Sequence, residues 1–266
     1  MKIIDCFIFH NEIDMLLYRL NILFNYVDYF VIVESRQTHS GHEKKINYHE
    51  NIHLFEPFVS KIIYVLIDLP HKFPNIDYSK NQQWENENYQ RNLIKNGIDQ
   101  ITINDEDIII VSDLDEIPDS NIISLIKNNK LVINTMYSLE QDLYYYNLNT
   151  RFVQKWNASK ILPYKIYKEN NLTFQNIRHC GCGKIFKGGW HLSYFGDKHF
   201  IKNKIQQFAH QEYNNNNYTD LDNIEARVKC QTDIYDRNEQ IEKISIKDND
   251  YLPVEYEKYL SKYILY

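Results

Sequence analysis

The chain has 266 residues, 43% of them hydrophobic, and a formal net charge of −6. That supplies enough apolar material for one large α/β core, and seven glycines with six prolines exclude a low-complexity or fibrous chain. With no long basic run, a nucleic-acid binder held by phosphate neutralisation is also excluded.

The N-terminal stretch "MKIIDCFIFHNEID" is too short and too charged for a signal peptide or an anchor. No later stretch approaches the ~20 apolar residues of a spanning helix. A soluble, cytoplasmic protein without a membrane span is therefore expected. "IIDCFIF" (3–9) is a nearly continuous apolar run, as in a strand covered on both faces. "NEIDMLLYRLNILFNYV" then places Ile13, Leu16, Leu17, Leu20, Leu23 and Phe24 at helical spacing, with Asn11 as its cap. "YFVIVE" (29–34) and "KIIYVLI" (61–67) read as strands. "NQQWENENYQRNLIKNG" reads as a helix stopped by Gly97. "DIIIVS" (107–112) is a fourth strand, and a helix follows with Ser120 as its cap.

This alternation predicts a doubly wound, mostly parallel sheet with ligands at the carboxyl ends of its strands. Further strands are expected in "LVINTMYSL", "LYYYNLN", "KILPYKIY" and "GGWHLSYF", and a helix in "HFIKNKIQQFAHQEYNN". Cys6, Cys180, Cys182 and Cys230 do not form a disulfide framework at this length. His179, Cys180 and Cys182 lie close enough to suggest a metal, yet zinc sites use wider pairs and a fourth ligand. Reduced thiols are the preferred reading.

The chemistry concentrates in "DEDIIIVSDLDEIP", where a buried strand delivers Asp113, Asp115 and Glu116 within four positions. Like charges this close need a cation or fixed donors. Asp-x-Asp after a strand suits Mg²⁺ or Mn²⁺, which take oxygen ligands and leave positions for substrate phosphates. A solvated turn capping the next helix is the alternative. An EF-hand is excluded, because its oxygen-ligand and glycine positions hold Ile117 and Pro118. A haloacid-dehalogenase-type phosphatase is disfavoured by Ile117 and by the lack of a downstream acidic pair.

"ENYQRN" before "DIIIVSDLDEIP" resembles the stretch of GT-A glycosyltransferases in which a helix bearing Arg-Asn precedes the metal-binding strand. With "DCFIFHNEIDMLLYRLNIL", "VDYFVIVESRQTHSG", "IRH", "GGWHLSYFG" and "FAHQE" in order, the chain resembles glycosyltransferase family 17. That family includes the bisecting β-1,4-mannosyl-glycoprotein N-acetylglucosaminyltransferase.

The resemblance implies a single GT-A-like domain over 1–266. Its parts would be a nucleotide-sugar-binding half (1–130), an acceptor half (131–215) and a helical C-terminal appendage (216–266). Asp113 and Asp115 would hold Mn²⁺ or Mg²⁺ against the diphosphate of a UDP-sugar, with His191 as a further ligand. Arg91 would contact the diphosphate or orient the acidic loop. Glu34 would accept hydrogen bonds from the nucleobase or ribose, Asn11 and Glu12 would line the same pocket, and Trp190 would stack on a sugar or fill the core. Inversion needs a carboxylate to deprotonate the acceptor, and Asp142 and Glu212 rank nearly equal for it, with Glu140 third. The implied activity is transfer of a sugar, N-acetylglucosamine above all, from UDP to a glycan. The alternative is a catalytically degenerate glycan- or nucleotide-sugar-binding protein of the same fold.

Overall fold

Successive side chains of a strand point to opposite faces, and the apolar run Ile3–Phe9 uses both. A computed structural model describes residues 1–265. In it Ile3, Phe7 and Phe9 of β1 (Ile3–Phe9) enter one core, and Ile4 and Cys6 enter a second on the opposite face. β2 (Tyr29–Ser35) and β4 (Ile108–Asp113) divide in the same way: Ile32 and Ile110 lie on one side, Val33 and Val111 on the other.

Together with β3 (Ile62–Ile67) these strands form a parallel block in the order β3-β2-β1-β4. The chain winds outward from β1 to β3 and returns to β4 on the other side of β1. The crevice beyond the carboxyl ends of β1 and β4 is thus a topological switch point, where open α/β sheets place their ligands. Beyond β4 come β8 (Lys160–Pro163), β6 (Tyr137–Tyr145) and β7 (Asn147–Phe152), all paired antiparallel. β9 (Gly183–Ser193) runs parallel to β6 and antiparallel to the short β5 (Glu116–Pro118). β10 (Ile241–Lys243) closes the edge beside β7. Most paired residues of this ten-stranded sheet run parallel, and helices flank it.

The helices used below are α1 (Ile13–Leu23), α2 (Gln82–Asn92), α3 (Ser120–Lys127), α4 (Phe174–His179), α5 (Lys198–Gln207) and α6 (Leu221–Cys230). α2 carries few apolar residues, yet it buries Asn86, Gln90 and Arg91. Polar side chains there tie loops together. Gln90 donates to the carbonyl of Val33 at 2.8 Å, and Asn86 to those of His39 and His71 at 3.0 and 2.8 Å. α5 and α6 cover a third core built on Tyr145, Tyr194 and Ile201.

Several expectations shift. α2 stops at Asn92, and Gly97 lies in a following helical turn where a Cβ would come within 2.3 Å of Val31. Its purpose is close packing rather than a left-handed stop. The cap of α3 is Asp119, which accepts from the N–H of Asn121, and not Ser120. Asn11 does not cap α1, whose first flanking residue is Glu12. In "KILPYKIY" the strand ends at Pro163, which has no N–H to extend a ladder, and a helix begins at Tyr164. Within 216–265, α6 is helical as expected, but β10 joins the sheet. The segment beyond it returns to α1, where the Tyr18 hydroxyl donates to the Val254 carbonyl at 2.8 Å. Among the described residues, no helix is long and apolar enough to cross a membrane.

Candidate active site

The loop after β4 is gripped from beneath by one arginine. Arg19 of α1 is fully buried and forms a two-pronged ion pair with Asp5 of β1, at 2.6 and 2.8 Å. Its remaining donors reach the carbonyls of Asp113, Leu114 and Glu116 at 2.7, 3.0 and 3.1 Å, and the Ser112 hydroxyl at 2.6 Å. A guanidinium presents donors in a fixed planar fork. Arg19 therefore fixes the path of the acidic loop while touching none of its carboxylates.

The carboxylates are compensated by the chain's own cations. Arg91 of α2 donates to Asp113 at 3.0 Å and to Glu87 at 2.8 Å, and also to Gln175. Arg178 of α4 donates to Asp113 at 2.9 Å and grips Glu116 with bonds of 2.6 and 2.7 Å. Glu116 is fully buried and also accepts from the Trp156 indole at 2.6 Å and from the N–H of Asp113 at 3.0 Å. Burial works against ionising Asp113, but Arg178 and Arg91 outweigh it and hold that carboxyl down at about 2. Of the two tasks open to Arg91, orienting the loop is the one the contacts display.

Asp115 faces elsewhere. It meets Lys204 of α5 at 2.9 Å, and its other oxygen lies 3.5 Å from His191 Nε2 on β9. Burial again opposes its charge, and Lys204 and His191 overcome it, so Asp115 lies well below the usual carboxylate range. Lys204 also reaches Glu12 at 3.5 Å. Asn11, Glu12, Asp115 and Lys204 line a cleft of about 520 Å³ at the end of β1. On the β1 rim, His10 bonds Gln207 at 2.6 Å, and burial pushes it down to about 4, so it is neutral at pH 7.

A glycine pair makes His191 possible. Gly189 has φ +142° and a Cβ there would lie 2.0 Å from the Ile117 carbonyl, so only glycine lets β9 pass against β5. Register then opposes His191 to Glu116 and Leu143, and Trp190 to Ile117 and Asp142.

Alternation along β9 puts Trp190 and His191 on opposite faces. Trp190 is buried in the first core, with its indole donating to the Tyr251 carbonyl at 3.0 Å. It fills the core and is not placed to stack on a sugar. Trp190→Ala should lower stability by about 3–5 kcal/mol in urea denaturation, while the folded fraction keeps its UDP affinity. Asp142 shares that face and spends both oxygens on Arg151 at 2.9 Å and Lys155 at 2.5 Å. Glu140 is paired with Lys184 at 3.0 Å. Glu34 is fully buried and its oxygens take four internal donors: Lys44 at 2.5 Å, the N–H groups of Asn47 and Tyr48 at 2.7 and 3.0 Å, and the Tyr64 hydroxyl at 2.8 Å. No capacity remains there for a nucleobase. Glu212 stands exposed, accepting from His210 at 2.6 Å, and is not among the residues that line the cleft.

Four residues of this site carry no role in the sequence reading: Arg19, Arg178, Lys204 and Trp156. Arg19 had a signal, a charge inside the apolar face of "LLYRLNIL" matched by Asp5 inside "IIDCFIF". Arg178 sits in "IRH", one of the family-like pieces. Lys204 and Trp156 have no comparable mark.

A divalent cation fits this donor set in part. Asp115 and His191 offer an oxygen and an imidazole nitrogen side by side, and His191 Nδ1 is buried without a hydrogen-bond partner. Carboxylates outnumber cations here, with Glu12, Glu87, Asp113, Asp115 and Glu116 set against Arg91, Arg178 and Lys204. Asp113, by contrast, is turned toward two guanidinium groups. Among the described residues no three His, Cys, Asp or Glu side chains converge as a closed metal cage. Mg²⁺-type sites often use one or two carboxylates and complete their shell with water and phosphate. The cysteines are all free.

A doubly wound sheet with an arginine-braced acidic loop at its switch point is the frame of an α/β protein that holds its ligand in that crevice. The family model for glycosyltransferase family 17 matches residues 1–248. The chain belongs to glycosyltransferase family 17, and its function is glycosyl transfer. Comparison with curated proteins finds no match. Among solved structures it is similar to 4-diphosphocytidyl-2C-methyl-D-erythritol synthase from Anaerococcus prevotii, with 9% identity and a TM-score of 0.37. That likeness covers 75% of this chain and 95% of the other.

Proposed function

We propose that this chain is a metal-dependent, inverting glycosyltransferase of the GT-A type that moves N-acetylglucosamine from UDP to a glycan. One observation carries the reading: the switch point brings Asn11 and Glu12 of the β1 end and the acidic loop of the β4 end to one crevice, in a family 17 chain. Asp115 and His191 are the residues that would hold Mn²⁺ or Mg²⁺. The cation would neutralise charge on the departing diphosphate. Asp113 sets the loop through Arg91 and Arg178 and adds negative charge beside it. Of the carboxylates considered as base, Glu212 is the exposed one, with His210 as its partner, whereas Asp142 is buried between Arg151 and Lys155 and Glu140 is held by Lys184.

Calorimetry of UDP with and without Mn²⁺ tests the reading. UDP should bind more tightly with Mn²⁺, and the gain should vanish in Asp115→Asn. Equal affinity under both conditions sinks the metal site. Release of free nucleotide from a panel of UDP- and GDP-sugars then identifies the donor.

A further inference from the structure

We propose that Cys180 and Cys182 are a redox-active thiol pair, in which Cys182 attacks a small disulfide of the glutathione type, Cys180 closes the protein disulfide, and buried Lys160 is the counter-charge. The pair lies outside the cleft and does not depend on the glycosyl-transfer reading.

Lys160, the first residue of β8, is only 3% exposed. Its ammonium donates to the Ser138 hydroxyl at 2.8 Å and to the Asn157 carbonyl, and among the described residues no carboxylate pairs with it. A buried ammonium without an anion is costly. Burial pushes Lys160 below its ordinary range, and of the groups that oppose this Cys182 acts most strongly, ahead of Glu116 and Cys180. The contacts give the route. Ser138 Oγ lies 3.4 Å from Cys182 Sγ. Because that oxygen already accepts from Lys160, its own proton is free to be donated to sulfur. A thiolate can only accept, so the relay Lys160–Ser138–Cys182 favours the charged, nucleophilic form of Cys182.

Cys180 is placed to resolve a mixed disulfide. Its N–H closes α4 on the carbonyls of Asn176 and Ile177 at 3.1 and 3.2 Å, and both thiols are free and only half-buried. Two residues of chain span at most about 7 Å, and disulfides join Cα atoms up to about 6.8 Å apart. Gly181 between them is exposed, with nothing within 4 Å of where a Cβ would stand, so no packing resists the small bend that closure needs. Among the described residues no third His, Cys, Asp or Glu joins the two thiols as a metal ligand. The exchange balances within itself. The Cys182 thiolate attacks one sulfur of the small disulfide and expels a thiolate, which leaves a mixed disulfide. Cys180 then attacks the Cys182 sulfur and expels the second. Two protein thiols are oxidised, one small disulfide is reduced, and the expelled thiolates take up the two protons that the protein loses.

The test incubates the full chain, reduced and freed of reductant, with oxidised glutathione and follows it by intact mass and peptide mapping. The peptide that holds both thiols should lose two hydrogens and regain them with dithiothreitol. Cys180→Ser, which lacks the resolving thiol, should stop at a glutathione adduct on Cys182. With iodoacetamide, Cys182 should be alkylated about tenfold faster than Cys230, although Cys230 is exposed and Cys182 is not. Lys160→Met, which removes the charge, and Ser138→Ala, which removes only the hydroxyl, should each slow Cys182 alkylation by about three- to tenfold. Glutathione adducts on Cys180 or Cys182 with no disulfide between them overturn the pair. Cys182 reacting no faster than Cys230, or at an unchanged rate in Ser138→Ala, overturns the role of Lys160.

Discussion

Arg19→Met should destabilise the protein by about 3–5 kcal/mol and abolish transfer, because it removes one half of a buried ion pair and leaves Asp5 charged and alone. That is a large fraction of an ordinary stability of 5–15 kcal/mol, so urea denaturation will register it clearly. Loss of activity through unfolding would say little about the loop. The informative variant is therefore Asp5→Leu combined with Arg19→Met. Replacing both partners of a buried pair by apolar groups of similar volume is often close to neutral, so this protein should regain most of the lost stability. It will not regain the three carbonyl bonds that Arg19 makes to Asp113, Leu114 and Glu116. Without that clamp the carboxylates lose their fixed placement, and small misplacements cost large factors in rate. A folded double variant with kcat well below wild type is the expected result. A double variant with full activity would reduce Arg19 to a fold element.

The parallel block was legible because strands buried on both faces must be largely apolar, and the runs at 3–9, 29–34 and 107–112 are, with polar residues only at Asp5 and at the ends Glu34, Asp107 and Ser112. The acidic loop was legible because charge at a strand end is costly without a reason. Its compensation was not. Arg178 lies 65 positions from Asp113, and Lys204 lies 89 from Asp115. Sequence spacing holds no trace of contacts that depend on how helices fold over a sheet. The same limit explains Asp142 and Trp190. Their residue types suit a sugar site, but register against β9 turns both toward the core, and a shift of one residue would have reversed the outcome. Glu34 misled for the opposite reason. A carboxylate at a strand end suggested a ligand contact, while the chain had already supplied four donors to it.

Arg178→Met should invert the pH dependence of stability. In the wild type Asp113 is held at about 2 by Arg178 and Arg91, below an unfolded value of about 3.9. A depressed folded value means the contribution is present above the unfolded pKa and is lost as pH falls through the folded one. Wild-type stability should accordingly hold down to about pH 4 and decline between about 4 and 2, with Asp113 contributing on the order of 2 kcal/mol after allowance for solvent screening. Removing Arg178 leaves the fully buried Glu116 with only the Trp156 indole and one backbone N–H as donors. A buried charge without a partner is relieved by binding a proton. Arg178→Met should therefore be weaker than wild type by about 3–5 kcal/mol at pH 7 and should gain stability on acidification from pH 7 to 5. Asp115, the proposed metal ligand, keeps its own partners Lys204 and His191 and stays ionised in this range, so any loss of Mn²⁺-dependent UDP binding in the variant should follow displacement of the loop and not protonation of Asp115. Urea midpoints at pH 5 and 7, with calorimetry at both, read the two consequences separately. A variant whose stability falls with acidification would show that Arg91 and the local dipoles suffice to compensate the loop, and that Arg178 is not what resolves its repulsion.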